Sequence, residues 1–150
     1  MALAPTFSSK VVVIAQAVTV VNEATMNEAS LPGRFVEIVN ASGVGNFQNQ
    51  ATASIAFERQ ILLENDLYGT GIATAAAIST VQRSAVLRAG DRVNCRLAVS
   101  QTGIVPGTAL ESAGGGQMQK YNAGIKIGVA LQTQTNATSV ADDLQAIEIV

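Results

Sequence analysis

The sequence predicts a mainly β protein, a small sandwich or barrel preceded by an extended N-terminal arm, and three observations carry that prediction. The first is alternation. From Arg92 to Ser100, Val93, Cys95, Leu97 and Val99 point one way, and Arg92, Asn94, Arg96 and Ala98 point the other. From Ile125 to Gln132, Ile125, Ile127, Val129 and Leu131 alternate with Lys126, Gly128, Ala130 and Gln132, and Ile147 and Ile149 share a face in the final run. Side chains repeat every two residues only in strands, so this region reads as an antiparallel sheet with one buried face. The second is composition: 48% of the 150 residues are hydrophobic, mostly Ala, Val and Ile, with 4% aromatic and no Trp. Such residues suit thin, closely spaced β layers. The third is punctuation, since Gly, Pro, Asn and Asp interrupt the runs at close intervals.

The elements follow in order. Residues 1–10 carry Pro5 and little periodicity and read as the arm, and residues 11–150 read as a single β-rich domain. Lys10 to Val21 is dense in Val and Ile on both alternating faces, which predicts one strand buried on both sides. Asn22 to Ser30 reads as a polar connection or a short helical turn. Leu31-Pro-Gly-Arg34 has the residues of a type II turn, Pro second and Gly third. Arg34 to Asn40 reads as a strand, and Ala41 to Gln50, rich in Ser, Gly, Asn and Gln, as a loop. In Ala51 to Leu63, Ile55, Phe57, Ile61 and Leu62 could line a helix, but two short strands are favoured; Asn65 to Gly71 reads as a loop, and Ile72 to Ile78 and Val81 to Leu87 follow as stretches rich in Ala and Thr. Ala89-Gly-Asp91 makes a tight turn and marks a seam, with no linker long enough for two independent domains. Gly103 to Gly107 reads as a short strand, Gly114-Gly-Gly-Gln117 as a flexible loop, and Gln134 to Asp143 as an exposed connection. No period of twenty to fifty residues repeats, which argues against a solenoid.

Charge and reactive groups narrow the function. Only 13% of residues are charged, with net charge −2, against about 25% in ordinary soluble domains. So neutral a surface predicts self-assembly or a built-in partner. The nearest approach to a basic cluster is Arg83, Arg88, Arg92 and Arg96, which reads as ion-paired strand edges, so no direct nucleic-acid contact is expected. The run Val11 to Val21 is too short to cross a bilayer as a helix, and no membrane partner is expected. The absence of histidine removes the commonest general base and most zinc sites. Glu64 with Asp66, and Asp142 with Asp143, sit in no catalytic frame and read as solvated turns. Gly43-Val-Gly45 and Gly69-Thr-Gly71 each start a dinucleotide fingerprint and fail to finish it. Cys95 alternates with Val93 and Leu97 and reads as a small buried hydrophobe. No catalytic residue, metal ligand or cofactor site is predicted, and the expectation is a non-enzyme.

Four stretches carry a resemblance: Ala89-Gly-Asp-Arg-Val93, Gly103-Ile-Val-Pro-Gly107, Ile125-Lys-Ile-Gly-Val-Ala-Leu131 and Ala146-Ile-Glu-Ile-Val150. Together they resemble the C-terminal half of capsid decoration (cement) proteins of tailed bacteriophages, and Leu63 to Thr74 has the flavour of phage virion proteins. The chain departs from that pattern in a longer insertion over Thr108 to Asn122 and in a first half that does not match. The resemblance implies a non-enzymatic virion protein, made in the host cytoplasm, that binds the major capsid protein on the outer surface of the assembled head. It also implies self-association, often as a homotrimer. A protein of that kind needs many modest contacts, and an extended arm can add a strand to a neighbour's sheet edge. The expected partner contacts are therefore Thr6, Phe7, Lys10, Val11 and Val13, though Val11 to Val21 serves equally well as a central core strand. A tail or baseplate component, or a carbohydrate- or small-molecule-binding β module, is the alternative, the latter disfavoured by the scarcity of aromatics.

Overall fold

The computed structural model describes residues 12–15, 20–53, 58–64, 71–134 and 136–150. Among them every regular element is a strand: β1 (Val13–Ala15), β2 (Val20–Met26), β3 (Phe35–Ala41), β4 (Val44–Asn49), β5 (Gln60–Leu62), β6 (Val81–Val86), β7 (Arg92–Arg96), β8 (Ala109–Gly114), β9 (Gln117–Lys120), β10 (Gly128–Ala130) and β11 (Leu144–Ile149). The protein is mainly β, as its composition and alternation predict. Strands β2-β4-β3-β5-β6 close into a barrel, and β1-β7-β11-β10-β8-β9 form a second sheet. That second sheet curls until β9 meets the end of β7 through a parallel bridge between Leu97 and Met118. The result is a second ring of five strands, with β1 paired to the part of the β7 edge that β9 does not reach.

The two rings have the same topology. In the first, β2 pairs parallel with β4 and antiparallel with β6, while β3 pairs with β4 and β5. In the second, β7 stands for β2, β9 for β4, β11 for β6, β8 for β3 and β10 for β5. Individual bonds repeat as well. Asn27 N–H donates to Phe47 O (2.7 Å) and Ala98 N–H to Met118 O (2.9 Å); Gly33 N–H donates to Leu62 O (2.9 Å) and Gly107 N–H to Ala130 O (2.8 Å). Gln48 donates to the Glu37 carboxylate, and Gln119 to that of Glu111, each at 3.0 Å. Ser79 and Asp142 hold matching left-handed conformations, at φ 64° and 66°, and their amides bond Met26 O and Leu97 O, both at 2.9 Å. The shared structure has faint sequence traces, Leu31-Pro-Gly-x-x-Val-Glu37 against Val105-Pro-Gly-x-x-Leu-Glu111 and Phe47-Gln48 against Met118-Gln119.

Each ring has an inside. Met26, Val36, Phe47, Leu62 and Ala76 pack together in the first, where the Gln60 carboxamide oxygen accepts hydrogen bonds from Asn22 and Ser84. Val93, Cys95, Leu97, Leu110, Met118, Ile147 and Ile149 belong to the larger core of the second. That core is continuous with Phe35, Ile61, Ala85 and Leu87 from the first ring. Burying so many large side chains, at about 1.5–3 kcal/mol each, makes the contact between rings part of the core.

Several sequence expectations change. Lys10 to Val21 is two strands in different sheets where one was expected, and Asn22 to Met26 belongs to β2. Polar residues are tolerated there because Asn22 finds Gln60 within the barrel. The expected loop Ala41 to Gln50 contains β4, joined to β3 through Ser42 (φ 55°) and Gly43 (φ 84°). Gly103 to Gly107 forms no strand; its Pro-Gly pair is the counterpart of the Leu31–Arg34 turn, which forms as predicted with Gly33 at φ 91°. The expected apolar face Ile125, Ile127, Val129 and Leu131 does not exist as such, since Ile125 is exposed while Gly128 and Ala130 are buried. A Cβ on Gly128 would lie 2.8 Å from Glu148 O, so backbones approach there too closely for a side chain. The run Gly114 to Gly116 is a tight turn with Gly116 packed on Phe35 O, contrary to the expected flexible loop.

Candidate interaction surfaces

The strongest polar constellation lies where the two barrels meet. Arg34, just after the Pro32-Gly33 turn, grips Asp142 with two parallel bonds, Nε to Oδ1 and Nη2 to Oδ2, both 2.8 Å. Gln117 Nε2 adds a third donor to Oδ1 at 3.0 Å. Arg96 threads beneath, donating from Nε to Pro32 O (2.9 Å), from Nη1 to Asp142 O (2.8 Å) and from Nη2 to Ile72 O. Burial pushes the Asp142 carboxyl up, but the hydrogen bonds from Arg34 and Gln117 and the positive charges of Arg34 and Arg96 outweigh it and hold it below the ordinary value. Burial, reinforced by Arg34, lowers Arg96 despite the pull of Asp142. With every guanidinium bond directed to a carbonyl, Arg96 acts as a rivet between the barrels. Nearby, Ser112 donates to Gln50 and Arg96 N–H to Gly33 O.

Beside this clamp opens a cleft of about 470 Å³ whose walls include Asn27, Glu28, Arg34, Gln48 and Asn49. Glu28 already accepts from Asn49 N–H at 2.6 Å, and Gln48 accepts from Asn27 at 3.4 Å. Side-chain amides line it, and none of its described lining residues is aromatic, which suits hydrogen bonding to a polar chain or loop. The surface also carries exposed apolar groups: Val44 and Val81 on the first barrel, and Val99 and Val140 on the second, where Ser100 N–H bonds Ser139 O.

Of the predicted contact residues, Thr6, Phe7, Lys10 and Val11 lie outside the described residues. Val13 is in β1, opposite Val93 on β7. Sequence reasoning missed the clamp. Asp142 stood out only as half of an acidic pair, and its partner Arg34 is 108 residues away, so no local pattern joins them. Cys95 is fully buried, and burial pushes its thiol up to about 12.

No protein-family model matches the chain, and no curated protein matches it in sequence. Among solved structures, the N base of the head fibre gp8.5 of bacteriophage phi29 matches with a TM-score of 0.58, covering 89% of this chain and 95% of that one at 10% identity. The likeness is one of fold, and it extends over both barrels.

Proposed function

We propose that this chain is a structural protein of a bacteriophage head, one that decorates the outer surface of the assembled shell by binding the major capsid protein and associating with itself as a homotrimer. In this reading it is no enzyme, takes no cofactor and contacts neither nucleic acid nor membrane. The observation that carries the reading is the fold shared along nearly the whole chain with the base of a phage head fibre. The sequence resemblance to cement proteins, drawn from other considerations, points the same way.

Geometry lends support to self-association. The barrels meet through different faces. The first contributes Gly33, Arg34, Phe35 and Gln50, the second Arg96, Gly116, Gln117 and Asp142. Their counterparts, Thr108 and Ala109 on one barrel and Thr25, Asn46 and Ser79 on the other, lie outside that contact. A head-to-tail contact of this kind leaves one matching face on each barrel, and such faces favour rings of subunits. Low charge and scattered exposed valines suit an adhesive surface repeated by symmetry.

Mass spectrometry of purified virions tests the reading. The chain should appear in a fixed ratio to the major capsid protein, and particles lacking it should burst at a lower temperature. Absence from virions, or density confined to the tail, would overturn the head assignment.

A further inference from the structure

The repeated topology exposes one difference in how the barrels finish an edge. Along β7, the edge turned away from β11 is engaged throughout. Asn94 N–H donates to Val12 O at β1 (2.7 Å), Arg96 N–H to Gly33 O (3.0 Å) and Ala98 N–H to Met118 O (2.9 Å). The corresponding edge of β2 begins in the same way from its far end, with Asn27 N–H on Phe47 O (2.7 Å) and Thr25 opposite Asn46. There the likeness stops. β2 and β4 pair only at Thr25 and Met26 and then diverge. Val21 and Glu23, which share that edge by the two-residue alternation, have no strand partner on it among the described residues. Glu23 and Val44, on either side of the gap, are both exposed.

We propose that this open edge of β2 receives, by strand addition, the N-terminal segment Thr6–Lys10 of a second copy of the chain. An unpaired edge is a template for an added strand, and this chain already shows the arrangement once, with β1 covering the equivalent edge of β7. On the same molecule's β7 the next donor after the one bonded to Val12 is already taken, since Arg96 N–H bonds Gly33 O. Val12 lies beside Glu64, whose carboxylate accepts from Val12 N–H at 2.9 Å. Glu64 follows β5, which is not adjacent to β2 in the ring. The described chain therefore begins at Val12 on the side of the first barrel away from the open edge, which makes a neighbour's edge the target. Residues 1–11 precede Val12; extended at about 3.3 Å per residue they reach across a subunit boundary. Pro5 lacks a donor and ends the pairing, Lys10 supplies charge for Glu23, and Phe7 supplies an apolar ring for Val44.

This inference rests on the self-association in the proposed function, and a test with two kinds of chain separates them. One chain carries Val44→Cys; the other carries Thr6→Cys, Ser8→Cys or Lys10→Cys, taken one at a time to cover the register. Cys95, buried with its thiol pushed up to about 12, stays silent. Mixing the chains under mild oxidation should give a disulfide between the two kinds of chain. Glu23→Pro in the first chain should abolish it by removing the edge donor, as should Ser9→Pro in the second, which leaves both barrels untouched. A trimer by light scattering without any mixed disulfide would overturn the edge proposal while sparing the trimer. A disulfide closing within one polypeptide, when both cysteines sit on the same chain, would overturn it too.

Discussion

The two barrels solve the same topology with different insides and different outsides, and the differences gather where they touch. Phe35, Ile61, Ala85 and Leu87 face the second barrel and are buried; their counterparts Ala109, Val129, Glu148 and Val150 are half-buried or exposed. The clamp repeats the lesson with polar groups: Arg34 and Asp142 occupy positions held by Thr108 and Ser79 in the other barrel, and Arg96 and Gln117 those of Thr25 and Asn46. Backbone geometry is kept, down to the left-handed residue at Ser79 and Asp142, while side chains are free to change wherever a new contact forms. Two barrels of one topology differ most at their junction, because there each meets different surroundings.

The largest effects should come from emptying each barrel. Phe47 and Met118 are matched, fully buried residues, and truncation to Ala should cost about 3–5 and about 2–5 kcal/mol respectively by denaturant unfolding. Because the second core continues into Phe35, Ile61 and Ala85, either variant should lower a single transition seen by all probes. Two separate transitions would show that the barrels fold independently. Next in size is a glycine pair. A Cβ at Gly116 would lie 2.5 Å from Phe35 O at φ +74°, whereas at the matched Gly45 it would meet only the end of Ile38 at 3.1 Å. Gly116→Ala should cost roughly 3 kcal/mol, from strain and overpacking together, and Gly45→Ala under about 1 kcal/mol, since a flexible side chain can yield. Equal costs would mean that the junction gives way as easily as open surface.

Asp142→Asn should cost about 1–2 kcal/mol, a half-buried charged hydrogen-bond set being worth less than a fully buried one. Asn keeps the left-handed backbone at low cost, so the loss reports the clamp alone; Ser79→Asn at the matched position should be close to neutral. The sign of the pH dependence follows from the carboxyl being held below its ordinary 3.8. The clamp contributes fully above the unfolded carboxylate's value and is lost as pH falls through the folded one. The wild-type advantage in melting temperature should therefore be flat at neutral pH and disappear in acid. An advantage that grew on acidification would contradict the clamp.

What could be read from the sequence follows from which forces are local. Alternation exposed β11 and the core face of β7, because each depends on neighbours two residues apart. The Pro32-Gly33 turn was legible for the same reason. The strand β4 was not, since Phe47 is its only buried apolar residue and the hairpin with β3 makes up the rest. The repeated topology hid because nearly all residues differ between the two barrels, with a spacing longer than the periods tested and only Pro-Gly and Glu–Gln pairs in common. The clamp was illegible in principle: Arg34, Arg96, Gln117 and Asp142 belong to four separate segments, brought together only by docking of one barrel on another.

The smallest expected effect concerns two surface ion pairs, Glu23–Arg83 at 3.7 Å and Arg92–Glu148 at 3.0 Å. Each spans a rung between matched strands, β2 with β6 and β7 with β11, but the rungs are not equivalent. The counterpart of Glu23–Arg83 is Asn94–Ala146, buried in the second barrel, and that of Arg92–Glu148 is Val21–Ala85, whose Ala85 is buried against that barrel. Each barrel thus carries its charges on a rung that the other has covered, where an unpaired charge would be costly. Because both pairs are open to water, Glu23→Gln and Glu148→Gln should each change stability by no more than about 0.5 kcal/mol, and less in high salt. A loss of about 2 kcal/mol at either site would mean that the rung is covered in solution. At Glu23 that result would be expected only once the edge of β2 has been filled by another strand.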